Sequence, residues 1–241
     1  MKENVAQEIL NKVKADYCLI AADFDQTRKN LWPEHLLLKR YVRAGDRVLD
    51  LGCGNGRLRL IFQDVNVDYT GADNCQNFIE LAGSSQDFKL PKQKFILSEM
   101  FDLPFADNSF DAIFCIAAFH HLPGKSLRFA ALAEMKRVLK PGGRLVMTNW
   151  NRWQWQYLHY IIKYAALKII GQNRLDFKDI LIPWQGKGVE RYYHAFTLGE
   201  LKRLFNKAGF CLEENFLTSR QVEKKVWYLQ ATNIVTVAKK C

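Results

Sequence analysis

The ten residues RVLDLGCGNG, from Arg47 to Gly56, constrain the fold more than any other stretch of this 241-residue chain. A short apolar run ends in glycines at 52, 54 and 56, and a helical pattern follows. A chain that leaves a buried strand and turns at once into a helix needs glycine for two reasons. One position must adopt a backbone that a side chain resists, and another must let a ligand approach where a Cβ would clash. Asp73 closes the next apolar run, VDYTGAD, about twenty residues on, where an acid can accept both hydroxyls of a ribose. Further strands are predicted in KFILSE, SFDAIFCIAA and GRLVMTNW, with a helix in LRFAALAEMKRVL that PGG stops. The nearly continuous apolar run of SFDAIFCIAA suits a strand covered on both faces. Strands alternating with helices from 46 to 150, and two more strands around 210–217 and 226–238, predict an α/β fold. Its centre is a doubly wound, Rossmann-like, seven-stranded and mostly parallel sheet.

The flanks fit around that sheet as one domain over residues 1–241. Val5, Ile9, Val13, Tyr17 and Ile20 recur at helical spacing, and Pro33 opens a second short helix, so 1–45 reads as N-terminal helices. Residues 46–150 form the cofactor-binding core. Residues 151–190 break the rhythm and read as an insertion capping the substrate: an amphipathic helix over 151–170, then a loop with Pro183 and two glycines. Residues 191–241 hold the segment RYYHAF, a helix opened by Thr197 and Glu200 and stopped by Gly209, and the last two strands.

Composition narrows the partners. A hydrophobic content of 49% suits one large core and excludes a disordered or fibrous chain. The net charge of +10 makes a polyanion a natural partner. Six cysteines include no CxxC pair, and no histidine stands at ligand spacing from one, so no metal site is expected. The cysteines are expected to be reduced and mostly buried in a cytoplasmic protein. The apolar stretch Tyr157–Ile170 is too short and too polar to span a bilayer, and the N-terminus lacks an apolar signal core.

The glycine turn carries further information. Its pattern is GxGxG, not the GxGxxG of a dinucleotide site, and Asp50 lies two residues before it. An acid at a strand tip repels a pyrophosphate and suits a ligand with a cationic end. S-adenosylmethionine, with a sulfonium, an ammonium and a ribose, fits that pattern. The candidate cofactor residues are Asp50, Gly52, Cys53, Gly54, Asp73, Asn74, Glu99 and Met100 in the turn EMFDLPF, and Ile116 at the end of the fourth strand.

Residues 46–149 resemble a class I S-adenosylmethionine-dependent methyltransferase, with LPF, SFDAIFCI and RVLKPGG part of the likeness. The ordered series FDQTRKNLWPE, AFHHLP, Asn149–Trp150, LIPW, RYYHAF and GELKRLF is similar to the tRNA carboxymethyluridine methyltransferase family. Glu99 stands where that family usually has Asp, and Ile234 follows Asn233 where it usually has an aromatic. The resemblance implies methylation of the carboxylate of 5-carboxymethyluridine at the wobble position, giving a methyl ester. It implies a tRNA anticodon loop as partner, with neither DNA nor membrane, and a small zinc-binding activator protein that pairs with an exposed sheet edge. Two other readings stay open: a small-molecule methyltransferase whose insertion forms a lid, and a tRNA-binding fold without turnover.

A carboxylate, with a reference pKa of about 4, is already ionised near neutral pH and needs no general base. It needs an anion clamp that leaves one oxygen free. Arg191 and His194 are the candidates, with Arg28 and His120 near the cofactor mouth. Trp32, Trp150, Trp184, Tyr192 and Tyr193 are the candidates to frame an extruded base. His121 is expected to be a hydrogen-bonding strand-end residue, and His35 and His159 to lie on helix surfaces. Trp153, Trp155 and Tyr157 are expected in the core, and Lys224 and Lys225 on a solvated face.

Overall fold

Three helices open the chain: α1 (Glu3–Leu19), α2 (Ala21–Thr27) and α3 (Pro33–Leu36). The core follows as β1 (Arg47–Leu51), β2 (Asp68–Asp73), α4 (Gln76–Ser84), β3 (Lys92–Leu97), β4 (Phe110–Ile116), α5 (Lys125–Val138) and β5 (Leu139–Trp150). After it come α6 (Leu158–Ile169), β6 (Asp179–Trp184), β7 (Val189–His194), α7 (Leu198–Lys207), β8 (Phe210–Ser219), β9 (Val222–Lys225) and β10 (Asn233–Lys240). These elements come from a computed structural model that describes residues 1–85, 89–184, 186–219, 222–225 and 231–241. The expected start of the last strand at 226–230, and the side chains of Lys224 and Lys225, lie outside the described residues.

The main sheet has the order β3-β2-β1-β4-β5-β10-β8-β9. Strands β3, β2, β1, β4 and β5 run parallel, and β10 is antiparallel to both β5 and β8. The seven strands from β3 to β8 are the expected ones, and β9 adds a short eighth at the edge. Alternation along the central strands feeds two cores. Leu49, Ile113 and Met147 pack with Leu132 and Met135 of α5 on one face. Val48, Phe114 and Val146 pack with Leu38 and Phe62 on the other. Each such side chain contributes about 1.5–3 kcal/mol of burial, which is why the sheet centre tolerates no polar exchange.

The insertion departs from expectation. Residues 179–194 form a hairpin, β6 with β7, that stands apart from the main sheet. Pro183 and the glycines at 186 and 188 suggest a loop, yet each has a place in a hairpin. Pro183 sits on a two-stranded ribbon with no third strand among the described residues to satisfy, and both glycines take positive φ in the turn. Ile180 and Ile182 supply the alternation and bury against Trp150 and Tyr193. The preceding helix starts at Leu158, not at 151. Trp153 and Trp155 are 46% and 78% exposed and so lie outside the core, while Tyr157 packs against it.

The cysteines also correct the reading. Cys18 is bridged to Cys75 and Cys211 to Cys241; only Cys53 and Cys115 are free, and both are buried. Residues 57 and 30 apart in sequence come within Cα distances of 5.5 and 5.8 Å, inside the span of a disulfide. Sequence spacing could not show that proximity. The first bridge ties the end of α1 to the start of α4. No described helix is long and apolar enough to cross a membrane.

Candidate active site

A crevice opens at the carboxyl ends of the central strands, where open α/β sheets bind ligands. Its floor is the glycine turn. Gly52 has φ +74°, and a Cβ there would lie 2.4 Å from the Ala118 Cβ and 2.9 Å from the Met100 Cε. Gly54, at φ +53°, keeps a more open face toward Phe24. Opposite, Ala117 holds a left-handed backbone with φ 54°, unusual for a residue with a side chain. Its N–H donates to both the backbone and hydroxyl oxygens of Thr148, each at 3.0 Å, which fixes the turn after β4.

Two acids are set into this floor. The Asp73 carboxylate accepts the Gly54 N–H at 2.9 Å and the Cys75 N–H at 3.0 Å. Burial pushes its pKa up to about 6, against the pull of those backbone donors. Asp50 accepts the Tyr69 hydroxyl proton at 2.6 Å, and burial pushes it up to about 7, the Tyr69 bond opposing. Glu99 accepts from the Asn74 amide at 2.9 Å and from the Lys14 ammonium at 3.0 Å. Cys53, Met100 and Ile116 line the same space. Buried acids held this far above their usual range are relieved by a cationic ligand. The acceptor set thus fits S-adenosylmethionine, and Asp50, Asp73, Glu99, Met100 and Ile116 are the residues that would hold it. When bound, that cofactor supplies a methyl group on a sulfonium.

The hairpin forms the facing wall. Arg191 and Tyr193 line the crevice. The Arg191 guanidinium lies 4.8 Å from the Trp184 ring centre, and its Nη1 donates to the Tyr193 hydroxyl at 2.8 Å. Among the described residues no carboxylate pairs with it. Tyr193 stacks on His120 at 5.2 Å with an interplanar angle of 17°. His120 is buried and lines the crevice; its Nδ1 accepts the Trp150 N–H at 3.1 Å, so in the neutral ring the proton sits on Nε2. Trp150 and Trp32 also line the crevice. Arg28 lies at its mouth, 5.4 to 5.8 Å from the ring centres of Phe24, Trp32 and Trp184.

His194 and Tyr192 do not reach this space. Strand alternation puts Arg191 and Tyr193 on one face of β7 and Tyr192 and His194 on the other. His194 is sealed between the Asp179 and Glu200 carboxylates, at 2.6 Å from Nδ1 and 3.0 Å from Nε2. Lys178 donates to the other Glu200 oxygen at 2.7 Å. The four residues bind β6, β7 and α7 together, so the expected pairing of Arg191 with His194 in one clamp does not occur. Tyr192 is likewise buried away from the crevice and frames no base there.

Sequence reasoning missed other crevice residues. Tyr17 belongs to α1 and was legible only as a core-spaced aromatic; its hydroxyl lies 2.8 Å from the His121 Nε2. His121 donates from Nδ1 to the Tyr192 carbonyl at 2.7 Å, and burial drops its pKa to about 3. His35 is buried and lines the crevice, not a helix surface. No local pattern marks Tyr17 or His35, because α1, α3 and the sheet meet only in the folded chain, whereas His121 is the hydrogen-bonding residue expected at the strand end.

A model of the methyltransferase domain matches residues 49–147. A candidate methyltransferase of Encephalitozoon cuniculi is 30% identical over 190 residues, covering 78% of this chain and 81% of that one. The tRNA (carboxymethyluridine(34)-5-O)-methyltransferase of Schizosaccharomyces pombe is 27% identical over 216 residues, covering 83% and 88%. Longer relatives from mouse and cattle are matched over only 31% and 30% of their length. A crystal structure of a SAM-dependent methyltransferase from Methanosarcina mazei superposes with a TM-score of 0.70 at 25% identity, covering 88% of this chain and 98% of that one. The methyltransferase bound to the Trm112 activator of Haloferax volcanii gives a TM-score of 0.64 at 19% identity over 93% and 97%, a likeness of fold. With the cradle of Asp50, Gly52 and Asp73 intact within the matched domain, the chain belongs to the S-adenosylmethionine-dependent methyltransferase family.

Proposed function

We propose that the protein transfers the cofactor methyl group to the carboxylate of 5-carboxymethyluridine at the wobble position of a tRNA, forming the methyl ester. The observation that carries this reading is Arg191: a cation without a carboxylate partner among the described residues, lining the same crevice as the cofactor cradle. The name of the relative from fission yeast supports the same substrate. An ionised carboxylate attacks without a general base, so the protein's task is to hold, orient and desolvate it. Orientation of this kind supplies on the order of 7–11 kcal/mol. Arg191 and Tyr193 hold the anion, His120 offers the proton on Nε2 beside them, and Trp150 and Trp184 flank the base. Arg28, among three aromatic rings at the mouth, meets the nucleotide backbone. The net charge of +10 draws the polyanion in.

A small zinc-binding activator belongs to the same reading. The sheet order ends on β3, whose outer edge pairs with no described strand, and Leu97 on it is exposed. An edge of that kind invites strand addition. The complex of a similar fold with Trm112 supports this partner.

The test is mass spectrometry of nucleosides from carboxymethylated tRNA incubated with the protein and S-adenosylmethionine, with and without a Trm112-type activator. The methyl ester is expected, and Arg191→Ala is expected to abolish it while leaving cofactor affinity unchanged. No ester from a protein that binds cofactor, with the activator supplied, sinks the reading.

A further inference from the structure

Two short runs of hydrogen bonds meet between α1 and β7, and the direction of each is fixed by one end. Arg191 has only donors and the Tyr192 carbonyl only accepts. From Arg191, Nη1 donates to the Tyr193 hydroxyl at 2.8 Å. Tyr17 and Tyr193 pack on the His121 ring with centres 4.9 and 4.7 Å from it, and both line the same crevice as Arg191. Tyr17 meets the His121 Nε2 at 2.8 Å, and His121 Nδ1 meets the Tyr192 carbonyl at 2.7 Å. A carbonyl accepts, so Nδ1 carries the proton. The buried ring stays neutral, so Nε2 is bare and Tyr17 must donate to it. The Tyr17 oxygen therefore has no proton left for the crevice and presents lone pairs alone.

Arg191 is restricted from the other side. Nη1 serves Tyr193, and Nε is buried without a hydrogen-bond partner among the described residues. A carboxylate that took two prongs of this guanidinium would bind tightly but would have both oxygens engaged and its nucleophilicity blunted.

We infer that Tyr17 is a positioning residue: its acceptor-only oxygen, beside the Arg191 guanidinium, occupies the place of a second carboxylate oxygen, so that one substrate oxygen is gripped and the other stays free to attack. The inference rests on the proposed carboxylate substrate. It gives His121 a role as well, since that ring commits the Tyr17 proton and ties α1 to the strand that carries Arg191. Repulsion between acceptors is being used for orientation, not for affinity. A neutral amide in place of the carboxylate meets the opposite situation, because its NH2 group can donate to the Tyr17 oxygen.

The experiment compares two anticodon stem-loop RNAs, one with 5-carboxymethyluridine and one with 5-carbamoylmethyluridine, binding to the full chain loaded with S-adenosylhomocysteine. Tyr17→Phe is expected to bind the acid RNA about three- to tenfold tighter and the amide RNA about three- to tenfold weaker, the worth of one hydrogen bond. In turnover on the acid RNA, KM and kcat are both expected to fall. His121→Phe, which frees the Tyr17 proton to donate while its oxygen can still accept, is expected to tighten the acid RNA and leave the amide RNA unchanged. General damage to the site weakens both RNAs together and raises KM. Shifts of the same sign for acid and amide, or an unchanged kcat, overturn the inference. If the wild-type protein forms no ester on the acid RNA, the substrate reading fails first and the inference falls with it; if it does, failure of the split condemns the Tyr17 role alone.

Discussion

The cofactor cradle and the hairpin wall beside it each hold a pair of acids, and they treat them in opposite ways. Asp50 and Asp73 receive hydroxyl and backbone donors, and burial lifts both toward neutrality. Asp179 and Glu200 enclose His194 with Lys178 outside, and although burial alone would raise Glu200, His194 and Lys178 together bring it down to about 2. The hairpin satisfies its charges internally and is a piece of architecture. The cradle leaves its acids raised toward neutrality, as the proposed binding of a cationic cofactor requires. Buried acids mark function only when the protein has left their charge uncompensated.

Removing the ring between these acids should break the hairpin and spare the cradle. His194→Ala leaves the buried Asp179 and the half-buried Glu200 facing each other without the ring, a change expected to destabilise the fold by about 3–5 kcal/mol. Urea unfolding measures it. Cofactor affinity of the protein that remains folded should not change. A loss of cofactor affinity with unaltered stability would reverse the assignment and make His194 part of the site.

The reciprocal change belongs in the cradle. Asp73→Asn keeps the shape and the bonds to the Gly54 and Cys75 amides in part, but removes the charge. Loss of one charge-assisted contact is expected to weaken cofactor binding by about 10- to 100-fold with little loss of stability. Calorimetric titration with S-adenosylhomocysteine checks it; unchanged binding would remove Asp73 from the ribose.

The same contrast explains what could be read from the chain alone. Around Gly52 and Asp73 the chemistry is local: strand, turn, helix and acid follow within one βαβ unit, so residue types at short spacing define the site. The hairpin wall depends on residues far apart. The partners of His194 come from β6 and α7, and those of Arg191 from β6 and its own strand. Proline and glycine at 183, 186 and 188 suggest a loop, because their role in a two-stranded ribbon depends on having no third neighbour. Alternation along RYYHAF was visible, yet which face meets the crevice is decided by Trp150 and Ile182, which bury Tyr193 beside them. Tyr17 was beyond reach, since a core-spaced tyrosine in an N-terminal helix carries no sign of the histidine it will meet.

The subtlest difference between the two regions lies in their response to pH, and the signs differ. The folded pKa values of Asp50 and Asp73, about 7 and about 6, lie above the ordinary carboxylate value, so between roughly pH 4 and 7 the folded chain holds more protons than the unfolded one. The cradle's contribution is therefore complete near pH 4 and declines as pH rises through those values. Glu200, brought down to about 2, contributes in the other sense: its stabilisation is present above roughly pH 4.5 and is lost as pH falls toward 2. For these groups the free protein should be most stable near pH 4–5, by urea unfolding across the range. A cationic cofactor favours ionised Asp50, so its affinity should rise as pH increases through about 7, by at most about tenfold per unit. Asp50→Asn should flatten that rise and leave the acid limb set by Glu200 in place. Free-protein stability that climbs steadily from pH 4.5 to 7.5 would mean the cradle acids are compensated after all, and the distinction between the two regions would fail.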